Sequence, residues 1–323
     1  MIDETTIREA LPPTAAGRVK QILVKEGAAT LVVDAAGMAR ADAEALERDI
    51  RERVGAIEGI AEVRVALMAD KPVRRIIAVG SGKGGVGKST LTANLAVALA
   101  ATGRKVGVVD ADVYGPSQVM LLDAAQQKAR ASENSLHPVE TEFGVRFLSM
   151  GQLIQPGKAI AWRGAMVGKA LGQLMSAEWG DTEVLLVDLP PGTGDVQLSM
   201  IQQHRPAGAV IVTTPQDLAL IDATRAIDLF NQVDVPIVGL VENMAGYVCP
   251  HCGESSDPFG KGGAEAAAQA LGIPFLGRVP LAMEIRVASD TGQPPAANPG
   301  PLSEPFAAIA AGLAAWLDRD GSR

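Results

Sequence analysis

Hydrophobic positions follow one pattern in the first part of the chain and another after it. Apolar residues recur at helical spacing in "RADAEALERDIRERVGAI" (40–57) and alternate with polar residues in "IAEVRVAL" (60–67). The stretch 19–33 has the form of two short strands joined by a turn. Residues 1–70 are therefore predicted to form a small α+β N-terminal domain, followed by a charged linker at 68–75.

From residue 76 onward, near-continuous apolar runs are separated mostly by helical patterns. Runs without alternation predict strands that are covered on both faces, as in a parallel sheet. The predicted strands are 76–80, 106–110, 184–188, 208–214 and 237–243. The fold class is therefore α/β, with a doubly wound, mostly parallel sheet in a second domain spanning 71–323.

A last helix is predicted from Glu304 to about Asp318, after a Pro-rich and Gly-rich loop at 291–300. Its apolar residues share one face, namely Phe306, Ile309, Leu313, Trp316 and Leu317. A helix that lies on a membrane surface is normally basic, and this one has no Lys or Arg before Arg319. We expect it to pack on the core of the protein.

Composition and charge limit the classes of function. The 323 residues are 47% hydrophobic and carry a formal net charge of −8, whereas nucleic-acid and anionic-membrane binders usually show a basic face. The N-terminus lacks the apolar region of a signal peptide, and no apolar run reaches the length of a membrane span. These features favour a cytoplasmic protein that binds neither nucleic acid nor membrane.

The stretch "GSGKGGVGKST" (80–90) contains a phosphate-binding motif. Residues 82–89 fit G-x-x-x-x-G-K-[ST], in which glycine lets successive backbone N–H groups face the phosphate oxygens. Lys88 would add charge at the β- and γ-phosphates and Ser89 a hydroxyl for Mg²⁺. With a strand before it and a helix after it, the motif predicts an ATP site. The predicted nucleotide-binding residues here are Gly82, Lys83, Gly84, Gly85, Val86, Gly87, Lys88, Ser89 and Thr90.

Acidic residues end two of the predicted strands. Asp110 and Asp112 lie at the end of strand 106–110, and Asp188 ends "LLVD" before a loop rich in Gly and Pro. The second stretch has the form of a Walker B strand, in which the carboxylate holds Mg²⁺. Asp188 is therefore predicted to hold Mg²⁺ together with Ser89.

Lys83 is a second lysine inside the phosphate loop, and "KGGVGK" resembles the deviant Walker A motif of the MinD-like P-loop ATPases. The resemblance implies that Lys83 reaches the nucleotide of a partner subunit, in the manner of an arginine finger. It also implies that Asp112 belongs to switch I and orients the attacking water. Lys83, Lys88 and Asp112 are the predicted catalytic residues of an ATP hydrolase.

A longer series of stretches resembles the Mrp/ApbC family within that group. The stretches are "GSGKGGVGKST", "DADVYGPS", "AWRGAM" (161–166), "DLPPGTGD", "TTPQDLALIDATRAI", "VENMAGYVCPHCG" and "GRVPL". The resemblance implies a weak ATPase that carries iron–sulfur clusters, receives them from cluster-assembly scaffolds and delivers them to apoproteins. It also implies that Asn243 contacts adenine. The N-terminal domain matches the family poorly.

Cys249 and Cys252 are the only cysteines in the chain. Their C-x-x-C spacing suits half a metal site or a redox disulfide, but a reducing cytosol and the lack of a thioredoxin-like context disfavour the disulfide. Members of the resembled family hold a [4Fe–4S] cluster between two subunits through this motif. A homodimer would likewise bring two pairs of thiols together. Zinc suits four cysteines equally well, and the spacing does not separate the two metals.

Two other functions fit part of the pattern. A partitioning ATPase of the ParA or MinD type would share the phosphate loop and Lys83, but it would have no use for the cysteines. A zinc-bridged dimer with a structural nucleotide would use the cysteines but show no turnover. The cluster carrier is the preferred interpretation, because it uses both motifs.

Overall fold

The computed structural model describes residues 4–25, 27–35, 38, 40–68, 74–113, 115–124, 127–132, 135–153 and 164–320. Most of the predicted linker and the first half of "AWRGAM" lie outside these residues. The chain separates into two compact units, Met1–Val73 and Arg74–Arg323.

The first unit packs two helices on a small sheet. Its elements are α1 (Glu4–Ala10), β1 (Val19–Lys25), β2 (Ala28–Asp34), α2 (Arg40–Gly55) and β3 (Glu62–Met68). The sheet order is β1-β2-β3, with β1 antiparallel and β3 parallel to β2. The predicted helix buries Leu46, Ile50 and Val54, as its helical spacing requires. The helix and strand predictions for this region are therefore confirmed.

The second unit alternates strands with helices. Its strands are β4 (Arg75–Gly80), β5 (Val106–Asp110), β6 (Arg130–Ala131), β7 (Leu136–His137), β8 (Val139–Glu140), β9 (Val145–Ser149), β10 (Val184–Asp188), β11 (Gly208–Thr213), β12 (Ile237–Val248), β13 (Ser255–Ser256) and β14 (Phe275–Leu281). Its helices are α3 (Lys88–Ala101), α4 (Gln118–Leu121), α5 (Gly164–Met175), α6 (Asp195–His204), α7 (Asp217–Asn231), α8 (Gly263–Leu271), α9 (Met283–Asp290) and α10 (Glu304–Asp320), with 3₁₀ turns at Met150–Leu153 and Pro295–Ala297.

The main sheet of the described residues has the order β13-β12-β11-β4-β10-β5-β9-β8, and β14 also pairs with β12. All pairs except the short β12–β13 and β8–β9 pairs are parallel. One hydrophobic core joins the sheet to α3 and α10, and another joins it to α5, α7 and α8. Helices on both faces make this a doubly wound α/β sheet, and the predicted fold class is confirmed.

All five predicted strands lie side by side in this sheet. Their apolar runs are buried on both faces, which explains why they lack alternation. Two further parallel strands, β9 and β14, were not predicted, and β12 runs five residues past its predicted end. The carboxyl ends of β4, β10 and β5 are adjacent, so the phosphate loop, Asp188 and Asp110 meet at one edge.

Helix α10 packs on the core as predicted. Phe306, Ile309, Leu313 and Leu317 are buried in the same hydrophobic core as the face of α3. The helix extends to Asp320, slightly further than the sequence indicated. None of the helices in the described residues is both long and apolar enough to cross a membrane.

Candidate functional site

The phosphate loop connects β4 to α3 through a tightly fitted backbone. Gly85 and Gly87 adopt left-handed conformations with φ of 79° and 84°, which glycine tolerates without steric cost. A Cβ added at Gly82 would lie 2.1 Å from the carbonyl carbon of Asp222, so the loop touches the backbone of α7. The N–H of Gly192 also donates to the carbonyl of Ser81 at 3.0 Å, which ties the loop after β10 to the phosphate loop.

Lys88, at the start of α3, is paired with the carboxylate at the end of β10. Its Nζ donates to Asp188 Oδ1 at 2.5 Å and lies 3.5 Å from Ser89 Oγ. The side chains of Lys88 and Asp188 are 6% and 0% exposed, so each charge depends on the other for compensation. The ammonium, carboxylate and hydroxyl groups predicted for the phosphates and Mg²⁺ therefore meet at one point.

Gln118, at the start of α4, joins the same group of side chains. Its Nε2 donates to Asp188 Oδ2 at 2.9 Å and to the Ser89 carbonyl at 3.0 Å. Thr92 Oγ1 is 3.3 Å from Asp188 Oδ1, so both carboxylate oxygens of Asp188 have partners. Gln118 and Thr92 were not predicted as site residues, because neither forms part of the phosphate motif.

Asp110 is a fully buried carboxylate at the end of β5. Its Oδ2 accepts from Ser149 Oγ at 2.9 Å and from the N–H of Gln118 at 3.1 Å, and its Oδ1 accepts from the N–H of Asp112 at 3.2 Å. Burial, reinforced by the nearby charge of Asp188, raises the pKa of Asp110 from 3.8 to about 7, while these hydrogen bonds oppose the shift. Asp110 therefore adjoins the site, and no cationic side chain among the described residues forms an ion pair with it.

Asp112 begins the loop between β5 and α4. Its side chain is 9% exposed, and its Oδ1 accepts from the N–H of Gly115 at 3.1 Å. This places Asp112 beside Asp110 at the edge of the sheet that holds the phosphate loop. Its predicted role in orienting water stays a prediction.

Lys83 lies half-buried in the phosphate loop. Its Nζ is 3.4 Å from Gln216 Oε1, just before α7, and its carbonyl accepts from Ser81 Oγ at 3.0 Å. In this single chain the ammonium therefore contacts the chain's own α7 region. Its predicted action on a partner subunit stays a prediction.

Asn243 lies on β12 and contacts the phosphate loop. Its Nδ2 donates to the Val86 carbonyl at 2.8 Å. Gly87 has a φ of 84°, and a Cβ added there would lie 2.0 Å from that nitrogen, so any other residue would be strained and would displace the Asn243 side chain. Asn243 thus links β12 directly to the phosphate loop, and its predicted contact with adenine stays a prediction.

Cys249 and Cys252 occupy a turn at the end of β12. The turn joins β12 to β13, and Tyr247 and Val248 pair with the two residues of β13. Within the turn, the N–H of Cys249 donates to the Glu254 carbonyl at 2.9 Å and that of Gly253 to the Cys249 carbonyl at 2.8 Å. This hairpin orders the backbone around the predicted thiol pair.

Both thiols are free, with Cys249 half-buried and Cys252 exposed. Backbone N–H groups of Cys252 and His251 lower the pKa of Cys249, since they favour its thiolate. Among the described residues, no three or more His, Cys, Asp or Glu side chains form a group that could hold a metal. The turn therefore offers two sulfur ligands and no third ligand from the described residues.

The order of these motifs matches a known family. A family model described as ParA, NUBPL iron-transfer P-loop NTPase, matches residues 72–314. The chain belongs to the NUBPL iron-transfer P-loop NTPase family. The resemblance to carrier ATPases that the motifs indicated is thereby confirmed.

Several relatives of this NUBPL-family chain have names that refer to iron–sulfur clusters. The iron-sulfur cluster carrier protein of Deinococcus radiodurans is 46% identical over 260 residues, which cover 77% of this chain and 73% of that protein. The iron-sulfur cluster transfer protein NUBPL of Dictyostelium discoideum is 46% identical over 239 residues, covering 73% and 74%.

Solved structures share the fold of this NUBPL-family chain. A nucleotide-binding protein from Archaeoglobus fulgidus, in complex with ADP, is 39% identical with a TM-score of 0.62, covering 70% of this chain and 89% of that one. The septum site-determining protein MinD from Pyrococcus horikoshii, in complex with Mg-ADP, shows the fold alone. It is 24% identical with a TM-score of 0.57, covering 77% and 99%.

The donor set of this NUBPL-family site suits Mg²⁺. Mg²⁺ prefers oxygen ligands and retains several waters, and here the hydroxyl of Ser89 and the carboxylate of Asp188 converge on the Lys88 ammonium. Ser89 and Asp188 would hold the ion, which would neutralise part of the negative charge of the nucleotide phosphates. Lys88 would then exchange its carboxylate partner for phosphate oxygens.

Proposed function

We propose that the protein is an ATP-binding iron–sulfur cluster carrier with slow ATP hydrolysis. Two copies hold one [4Fe–4S] cluster through Cys249 and Cys252 of each chain, accept it from cluster-assembly scaffolds and transfer it to apoproteins. In this proposal the cluster is cargo, and ATP with Mg²⁺ is the ligand that controls its handling. The family and the names of its relatives support this proposal.

The observation that carries the proposal is the position of the thiol pair in the turn directly after β12. This strand touches the phosphate loop through Asn243 and ends in the turn that contains Cys249 and Cys252. A partitioning ATPase would have no use for two free thiols at this position. The strand gives a continuous backbone between the nucleotide site and the cargo site.

The thiols also require a second copy of the chain. A [4Fe–4S] cluster takes four cysteine ligands, and each chain contains two. A two-fold axis near the exposed turn would supply all four from equivalent residues. Lys83 would act across the same dimer, adding positive charge where negative charge develops on the partner's nucleotide.

Anaerobic reconstitution tests the proposal. The purified full chain is incubated with iron and sulfide, desalted, and analysed for iron, sulfide, zinc and mass in solution. We expect about two irons and two sulfides per chain, since one cubane would be shared by two chains. The variants Cys249→Ser and Cys252→Ser should each lose the cluster, whereas Ser255→Ala in the same hairpin should keep it.

ATP hydrolysis should largely survive in both cysteine variants, because the predicted phosphate site is built from residues 82–90, Asp112 and Asp188 and not from the turn that contains the cysteines. Stoichiometric zinc without iron uptake would support the zinc-bridged dimer instead. A cluster retained by the double serine variant would contradict the proposed ligands.

A further inference from the structure

The carboxamide of Gln118 is placed between two groups that can only accept hydrogen bonds. Its Nε2 donates to Asp188 Oδ2 and to the Ser89 carbonyl, at 2.9 and 3.0 Å. These partners fix which end of the amide is nitrogen, because an oxygen in that position would face two other oxygens. The other atom at the end of the amide is therefore the oxygen, Oε1.

Oε1 of Gln118 is buried and has no hydrogen-bond partner among the residues that the structure describes. The whole residue is 0% exposed, and leaving a buried acceptor unsatisfied is unfavourable. Gln197 also has an unpartnered Oε1, but its Nε2 donates to the Pro190 carbonyl instead of the Ser89–Asp188 pair. Gln118 thus contacts the Asp188 carboxylate and the backbone carbonyl of Ser89, the two residues predicted to hold Mg²⁺, and its Oε1 lacks a donor among the described residues.

Gln118 also links the two buried carboxylates of the site. Its backbone N–H donates to Asp110 Oδ2 at 3.1 Å, while its side chain holds Asp188. When nucleotide binds, Lys88 must exchange Asp188 for phosphate, and Asp188 then depends on its remaining partners for orientation. The contact from Gln118 to Oδ2 does not compete with that exchange, because Lys88 occupies Oδ1.

We propose that Gln118 is a positioning residue of the magnesium site. Its Nε2 orients Asp188 and the start of α3, and its Oε1 accepts a hydrogen bond from the hydration shell of Mg²⁺, which the ion largely retains in proteins. Groups that orient metal ligands from the outer shell typically change metal affinity about 10–100-fold when replaced. This inference rests on the ATP–Mg²⁺ site of the proposed function.

The test compares ADP binding with and without Mg²⁺. Isothermal titration of the full chain with ADP, first in EDTA and then over a series of Mg²⁺ concentrations, gives the gain in affinity that the ion provides. Gln118→Met preserves length and flexibility but lacks both amide groups. In this variant, the Mg²⁺ concentration that gives half of the maximal gain in ADP affinity should be about 10–100-fold higher than in the wild type. Affinity in EDTA should change less than about threefold.

Thr141→Val is the matched control. Thr141 is also buried and polar, and its Oγ1 donates to the Val145 carbonyl at 2.9 Å, at the opposite end of the sheet from the phosphate loop. It should lose stability without changing the response to Mg²⁺. Gln118→Asn moves the amide back by one methylene and should shift the Mg²⁺ response in the same direction as Gln118→Met. It replaces Gln118→Met in the test if the Met variant does not fold.

The outcomes separate this inference from the proposed function. If the wild-type protein binds no ADP under any condition, the nucleotide site itself is wrong. If the wild type shows the gain from Mg²⁺ and both Gln118 variants show the same gain at the same concentration, Gln118 does not position the ion. Equal losses in EDTA and in Mg²⁺ would indicate a purely structural role and would also overturn the inference.

Discussion

Replacing Asp110 by Asn should change how the stability of the nucleotide-free protein depends on pH. Asp110 is fully buried, and its pKa rises from 3.8 to about 7 because burial and the charge of Asp188 disfavour its ionised form. Between these values the folded protein retains a proton that the unfolded chain has released. The stabilisation is therefore complete below pH 3.8 and is lost as the pH rises through about 7.

The magnitude follows from the two pKa values. At about 1.4 kcal/mol per pH unit, the interval from 3.8 to about 7 corresponds to at most about 4 kcal/mol lost on going to pH 8. Asn cannot ionise, so the stability of the Asp110→Asn variant does not fall with rising pH in this way. Its NH₂ must face a backbone N–H at one of the two carboxylate positions, which costs about 1–3 kcal/mol. The net gain of the variant at pH 8 is therefore about 2 kcal/mol.

Urea unfolding between pH 5.5 and 8, with EDTA present and nucleotide absent, covers about 1.5 pH units of this loss, or about 2 kcal/mol. All three tryptophans follow residue 73, and Trp179 is fully buried, so their fluorescence reports on the second unit. Asp181→Asn is the control, because Arg146 lowers the pKa of Asp181 and its carboxylate stays ionised throughout this range. A difference between wild type and Asp110→Asn that is flat, or that favours wild type as pH rises, would refute the reasoning.

Two further predictions concern the lysines of the phosphate loop. Lys88→Ala should abolish useful ATP turnover and destabilise the nucleotide-free protein by about 3–5 kcal/mol, because a buried carboxylate loses its partner. Phosphate release and urea unfolding check both effects, and wild-type turnover would contradict the role of Lys88. Lys83→Ala should keep nucleotide binding and lose turnover by less than the ~10³–10⁵ of an arginine finger, since lysine makes a single contact. Mixing it with Asp112→Ala subunits should restore one intact site per heterodimer, and confirmed heterodimers without recovery would exclude action across the dimer.

The fold was predictable where burial alone determines the residues. Central strands such as β5 and β10 are buried on both faces, so their sequences are unbroken apolar runs. Strands β9 and β14 were missed because Arg146 and Arg278 interrupt their apolar patterns. Both arginines find partners far along the chain, at Asp181 and at residues in β12 and α8, and no local pattern reveals these pairs.

The site was predictable where a motif fixes backbone geometry. The glycines, Lys88 and Asp188 follow from the phosphate motif and from the acidic end of an apolar strand. Gln118 was not predictable in this way, because its role depends on the loop after β5 returning to Asp188, seventy residues further along the chain. The contact of Asn243 with Val86 likewise joins segments 157 residues apart.

The burial and backbone conformation of strand β12 change at Asn243. Its first half is buried between β11 and β14, whereas residues 243–248 are half-buried or exposed, and Met244 and Gly246 take left-handed conformations at a register shift. The thiol turn is thus an appendage beyond the hydrophobic core, and its sequence is free to vary without repacking that core. In the proposed function, this arrangement would let the metal-binding chemistry of the turn change while the nucleotide site stays the same. Grafting a different metal-binding hairpin after Gly246 should therefore change the metal that the protein binds without changing nucleotide binding.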